Sequence, residues 1–171
     1  QDPGLLVLPT NRLLTSAFAL PPEETWLERV RRFFSIEPIA ADQIQERLQT
    51  TATGQTAIIA CLYDLYYVLT REKTLPDSLA PEHSAAYRQL DVAILHDLIL
   101  GEISGFPKAL EKNHDYIRYS PDIETIQRWL RQGKGQAAFF LKGTPVKELL
   151  AVSLAQDTMP SKSTYFYPKM L

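Results

Sequence analysis

Two polar stretches carry side chains that could meet a ligand. Pro9, Thr10, Asn11 and Arg12 follow directly on the apolar run Leu5–Leu8, and residues placed by the end of a strand often bind ligands. Arg12 offers a planar fork suited to carboxylate or phosphate. The second stretch, PSKSTYFYPK, runs from Pro160 to Lys169. Its Ser161, Ser163 and Thr164 can donate to an anion, Lys162 and Lys169 supply charge, and Tyr165 and Tyr167 share one face if the chain is extended. The plainer alternative is an edge strand whose aromatics pack on a sheet and whose lysines discourage edge-to-edge pairing.

The histidines His83, His96 and His114 show no metal-ligand spacing, so no metal site is expected. His83 and His114 read as exposed. His96 stands beside Asp97 in an apolar stretch and could act as an acid or base if a partner orients it; the alternative is a core-edge histidine satisfied locally. The phosphate-loop, dinucleotide-glycine, metalloprotease and nucleophile-elbow patterns are all missing. No catalytic residue and no cofactor follows from the sequence. The lone cysteine, Cys61, lies in the apolar run TAIIACLY and reads as a small core residue.

These residues need elements to position them. Leu5–Leu8 reads as a short strand ended by Pro9, followed after Arg12 by an apolar link. Pro21 and Pro22 open a helix through EETWLERVRRFF, with Trp26, Leu27, Val30, Phe33 and Phe34 at helical spacing and Glu23 and Glu24 at the positive end of the dipole. FSIEPI reads as a strand, and Asp42 with Gln45 as a capping box for a helix through about Leu48. TAIIACL and LYYVLTR form a hairpin around Tyr63 and Asp64. TLPDSLAPEHS is a loop and the segment most open to insertion. LDVAILHDLIL is a helix apolar enough to be buried on nearly every side. Near the end, DYIRY is a strand, Ser120 an N-cap with Pro121 at the first helical position, and Ile123, Ile126, Trp129 and Leu130 a buried stripe. QAAFFLK is the next strand, and Thr144 with Pro145 starts a helix bearing Val146, Leu149, Leu150 and Leu154. The fold class is therefore α+β: a mixed β-sheet with helices packed on it, including a C-terminal strand-helix-strand-helix unit.

With 171 residues, 18 basic and 20 acidic side chains and a sequence pI near 5.9, the chain fits one domain, 1–171, without a global field to recruit nucleic acid or an anionic membrane. No stretch is apolar enough to span a bilayer, so neither membrane nor nucleic acid is an expected partner, and the expected location is cytoplasmic.

MPSKSTYFYPKML resembles the C-terminal signature of the bacterial and archaeal family called domain of unknown function 1015. DPGLLVLPTNRLL near the start and LDVAILHDLIL in the middle are similar to that family in the same order. The resemblance implies that this chain corresponds to the C-terminal half of a longer two-part protein, with the N-terminal half of the same protein as its partner. In relatives that half carries a His-Ala-Asp-Gly-His-His-Arg motif and is reminiscent of nucleotide-dependent kinases of small molecules such as free serine. Where the family reads Pro-Thr-His-Arg, this chain has Asn11, which keeps amide hydrogen bonding but cannot transfer a proton.

Two functions are expected on this basis. One is a cytoplasmic domain lending phosphate- or nucleotide-binding groups to a site completed by the N-terminal half, with phosphoryl transfer in the intact protein. It expects Arg12 and Lys162 to approach each other. The other is a non-catalytic interaction or regulatory domain making interdomain or homo-oligomeric contacts.

Overall fold

The computed structural model describes residues 5–160, 162, 163 and 165–168. The strands are β1 (Leu5–Leu8), β2 (Asn11–Leu14), β3 (Ser35–Ile39), β4 (Gln55–Leu62), β5 (Leu65–Glu72), β6 (Ile117–Ser120), β7 (Ala137–Phe140) and β8 (Tyr165–Pro168). The helices are α1 (Glu23–Arg31), α2 (Ile44–Gln49), α3 (Ala85–Arg88), α4 (Asp91–Ala93), α5 (Ile123–Arg131) and α6 (Val146–Leu154). Six strands form one sheet in the order β3-β5-β4-β7-β2-β6. β1 and β8 make a separate antiparallel ribbon, with Leu5 opposite Pro168 and Leu8 opposite Tyr165.

The fold is α+β, with helices on both faces of the large sheet. Alternation along the strands sends successive side chains to opposite faces, and this divides the core in two. Leu14, Ile58, Ala60, Leu69 and Phe139 join Trp26 and Val30 of α1 and the apolar stretch from Leu90 to Ile103. Leu13, Ile59, Cys61, Val68 and Phe140 join Ile44 and Leu48 of α2 and Ile126 of α5. Every neighbouring strand pair in the sheet is antiparallel. The parallel relation belongs to β6 and β7, which are not neighbours, because β2 lies between them and runs opposite to both.

The β4–β5 hairpin closes through Tyr63 and Asp64 as the sequence indicates. Both take positive φ, 53° and 65°, which the right-handed twist of a two-residue hairpin favours even without glycine. α4 runs on into a π-helical segment, Ile94–Ile103, in place of the α-helix expected there. Ser104 N–H donates to Ile99 O at 3.0 Å, five residues back, as a π turn requires. Trp26 Nε1 donates to Ser104 Oγ at 3.0 Å and Arg29 to Ile103 O at 3.0 Å, so α1 clamps the end of the segment.

Several local expectations are corrected. Asn11 and Arg12, with the first two residues of the link expected after them, form β2, a strand buried along its whole length. Gln43 rather than Gln45 reaches back before α2, its Oε1 accepting from Ala40 N–H at 2.8 Å, and with alanine at the N-cap the reciprocal half of a capping box is missing. Ser120 ends β6, and Asp122 occupies the N-cap of α5; Ser120 Oγ accepts from Asp122 N–H at 3.1 Å and so braces the turn instead of capping the helix. On α6, three of the four apolar residues expected there face outward: Val146 is 53 %, Leu150 58 % and Leu154 85 % exposed, while Leu149 is half-buried and Val152 is the buried residue. Arg88 binds the carbonyls of Leu75, Pro76, Leu79 and Ala80, and so pins the loop expected to be most open to insertion.

Candidate functional site

β2 is where the two polar stretches converge. Arg12 pairs with Tyr119 on β6 and Phe139 on β7, so its side chain lies among neighbours on the face that carries the π segment. The Arg12 side chain is fully buried. Its guanidinium lies 5.3 Å from the centre of the Tyr119 ring, within range of a cation–π contact. Nη1 donates to Thr10 O. Nη2 donates to Lys162 O at 3.2 Å and lies 3.1 Å from His96 Nε2.

An arginine only donates hydrogen bonds. His96 Nε2 is therefore the acceptor, which places the imidazole proton on Nδ1, where it donates to Glu111 Oε2 at 3.0 Å. Tyr119 Oη donates to Glu111 O at 2.6 Å and holds the same turn. The result is a chain from Glu111 through His96 to Arg12. Burial lowers the His96 pKa below the ordinary imidazole value; the Glu111 hydrogen bond raises it and the Arg12 charge lowers it further. The ring is neutral at pH 7. Burial also lowers Arg12, to about 10, with Tyr119 and Glu111 pulling the other way, so the guanidinium keeps its charge. Tyr119 is raised to about 12 by burial and stays a phenol.

The cation is buried without a carboxylate hydrogen-bonded to it among the described residues. Such a charge is costly unless fully partnered. Its neighbours are under-satisfied too: Thr10 Oγ1, Asn11 Nδ2 and Arg12 Nε, on three consecutive residues, are the buried side-chain polar atoms without a hydrogen-bond partner among the described residues. Buried polar groups are normally paired, and all three can donate to an acceptor. Of the three residues, Thr10 lines a cleft of about 490 Å³, together with Tyr119, Ser120, Trp129, Arg118 and Lys162; Asn11 and Arg12 are buried behind its wall.

The sequence-selected residues divide as follows. Thr10, Arg12, His96 and Lys162 come together, although Lys162 meets Arg12 through its carbonyl while its side chain is exposed at the cleft. Asn11 points to the opposite face of the sheet, where its Oδ1 accepts from Leu141 N–H at 3.2 Å. Ser163 is buried, its hydroxyl spent on Pro160 O. Tyr165 and Tyr167 lie in β8 opposite Leu8 and Leu6. Ser161, Thr164 and Lys169 lie outside the described residues. Sequence reasoning missed Glu111 and Tyr119. Glu111 sits in a charged loop with no periodicity to mark it, and Tyr119 was absorbed into a strand, where only its pairing with Arg12 reveals it.

His114 is exposed as expected. His83 is not: it stacks on Tyr87 at 3.7 Å between ring centroids and bonds Asp157 through Nδ1 at 2.8 Å. Cys61 is buried in the core with its thiol raised to about 11 by burial, which suits packing and not nucleophilic chemistry. Among the described residues no group of three or more histidine, cysteine or acidic side chains is arranged to hold a metal, and no helix is long and apolar enough to cross a membrane. Comparison with known proteins finds no matching family, no matching curated protein and no matching solved structure; the chemistry of the site therefore rests on its geometry.

Proposed function

We propose that this chain binds a small anionic molecule, carrying a phosphate or carboxylate, in the cleft walled by Thr10, Tyr119 and Lys162. The observation that carries the reading is the buried Arg12 charge with its unspent Nε–H, next to the unpartnered Thr10 Oγ1 at the cleft wall. A ligand anion in the cleft would accept from Thr10 Oγ1 and be attracted by the Arg12 charge, whose Nη1 bonds the Thr10 carbonyl. Lys162 adds an exposed ammonium at the rim. In the family the sequence resembles, such a site would be completed by the N-terminal half of a longer cytoplasmic protein, where positioning and charge stabilisation serve phosphoryl transfer.

The test is a thermal-shift titration with sulfate, phosphate, ATP, serine and phosphoserine, repeated on Thr10→Val and Lys162→Ala. Ligand at about 100 times its dissociation constant adds roughly 2.7 kcal/mol to stability. A saturable shift weakened in both variants supports the reading; the absence of a shift with every compound rejects it.

A second reading is favoured by α6. Val146, Leu150 and Leu154 form an exposed apolar stripe at four-residue spacing, which a second copy of the chain would cover in a homo-oligomer. Light scattering at several concentrations decides it: a monomeric mass throughout rules out self-association, and a dimer lost in Leu150→Glu supports it.

A further inference from the structure

We propose that His96 is a positioning residue for Arg12: its neutral Nε2, fixed as an acceptor by Glu111, holds the guanidinium charge in place behind Thr10 at the wall of the anion site. The inference rests on the anion-site reading and adds to it a proton-dependent control.

Three acceptors fix the plane of the Arg12 guanidinium: Thr10 O on Nη1, and His96 Nε2 and Lys162 O on Nη2. Three of the five N–H groups are then engaged, and Nε is the guanidinium nitrogen with no hydrogen-bond partner among the described residues. Of the three acceptors, two are backbone carbonyls that cannot change their chemistry. His96 can. Protonation would turn Nε2 into a donor facing a donor 3.1 Å away and set a second cation against the first. Arg12 would then lose the acceptor that comes from the π segment.

The charged and titratable groups around His96 come from several elements. Arg12 comes from β2, Glu111 from the turn after residues 108–110, Asp97 from the same π segment, and Tyr119 from β6 through its bond to Glu111 O. Lys108 lines a small cavity of about 110 Å³ together with His96, Asp97 and Glu111. Burial and the Arg12 charge favour the neutral ring, and the carboxylates oppose them without prevailing. His96 thus keeps its acceptor lone pair at neutral pH, and the change falls on the acid side.

The experiment measures sulfate affinity by calorimetry on the whole chain from about pH 7.5 to 4, reaching to the acid side of the ordinary imidazole range because burial lowers the His96 pKa. Sulfate is the probe because its own charge is constant there. Wild type is expected to lose roughly tenfold in affinity toward acid, the equivalent of about one charge-assisted hydrogen bond. His96→Gln, which offers a carbonyl acceptor that does not titrate, is expected to bind with a flat profile. Glu111→Gln is expected to move the midpoint to lower pH, because the group that raises the His96 pKa has lost its charge, and it keeps the test alive if His96→Gln fails to fold. Affinity that rises toward acid, or an identical slope in wild type and His96→Gln, overturns the role of His96 and leaves the anion site standing. No sulfate binding by wild type at any pH overturns the site and this inference together.

Discussion

The carboxylate of Asp157 lies 2.8 Å from His83 Nδ1 and joins the end of the α6 segment to the start of α3. Asp157 also accepts from Ser84 N–H at 2.7 Å, from Ser84 Oγ at 2.8 Å and from Thr158 N–H at 2.8 Å. Ser84 in turn caps α3 by accepting from Tyr87 N–H at 3.1 Å. Residues more than seventy positions apart therefore share one cap.

This cap sets a pH dependence. Burial alone would raise the Asp157 pKa, but the hydrogen bonds from Ser84, His83 and Thr158 outweigh it and hold the carboxyl well below the usual range. A carboxyl lowered on folding contributes stability that is complete above its unfolded value near 4 and is lost as pH falls through the folded value. Asp157→Asn is expected to lower stability at pH 7 by about 1–2 kcal/mol and to flatten the acid limb of a Tm-against-pH curve. An unchanged acid limb would place the titration elsewhere.

Ser104→Ala tests the junction between α1 and the π segment. Ser104 Oγ accepts from Trp26 Nε1 and donates to Ile99 O at 2.7 Å, and both Trp26 and Ser104 are buried. Removing the hydroxyl strands an indole N–H in the core, at about 1–3 kcal/mol. Urea denaturation should show a lower midpoint with an unchanged slope.

The orientation of α6 has its own test. Leu154→Lys, on the exposed face, is expected to change stability by less than about 0.5 kcal/mol. Val152→Ala, at the buried position, should cost about 1–3 kcal/mol by lost burial and a cavity. The reverse ranking would turn the helix over.

Arg12→Lys keeps the charge and loses the fork. Three acceptors on Nη1 and Nη2 cannot all be reached by one ammonium in the same plane. The expected loss is about 1–3 kcal/mol in unfolding free energy, together with weaker sulfate binding. A variant as stable as wild type would show that the carbonyl contacts carry little.

Local chemistry made part of this molecule legible in its sequence. The β4–β5 hairpin follows from two β-rich runs two residues apart, and α1 from Trp26 and Val30 at helical spacing behind the Pro-Glu-Glu start. The site was half legible. Arg12 and Lys162 stood out as polar residues in unusual places, and His96 as a histidine in an apolar run. What joins them is not local: Glu111 meets His96 across fifteen residues, and Tyr119 meets Arg12 through strand register. The π segment was hidden because an evenly apolar stretch has no stripe from which to read a period. α6 misled for the opposite reason, since Val146, Leu150 and Leu154 are spaced like a core stripe yet face outward.

The place of β2 in the sheet also governs how the chain reaches this structure. Residues 11–14 pair with residues 117–120 on one side, and residues 12–14 with 137–139 on the other. During synthesis β2 must therefore wait for both of its neighbours, which emerge more than a hundred residues later. Closing so long a loop carries an entropy cost before any contact rewards it, and long-range pairing of this kind slows folding. The β4–β5 hairpin, by contrast, pairs across a two-residue turn and has no such loop to close.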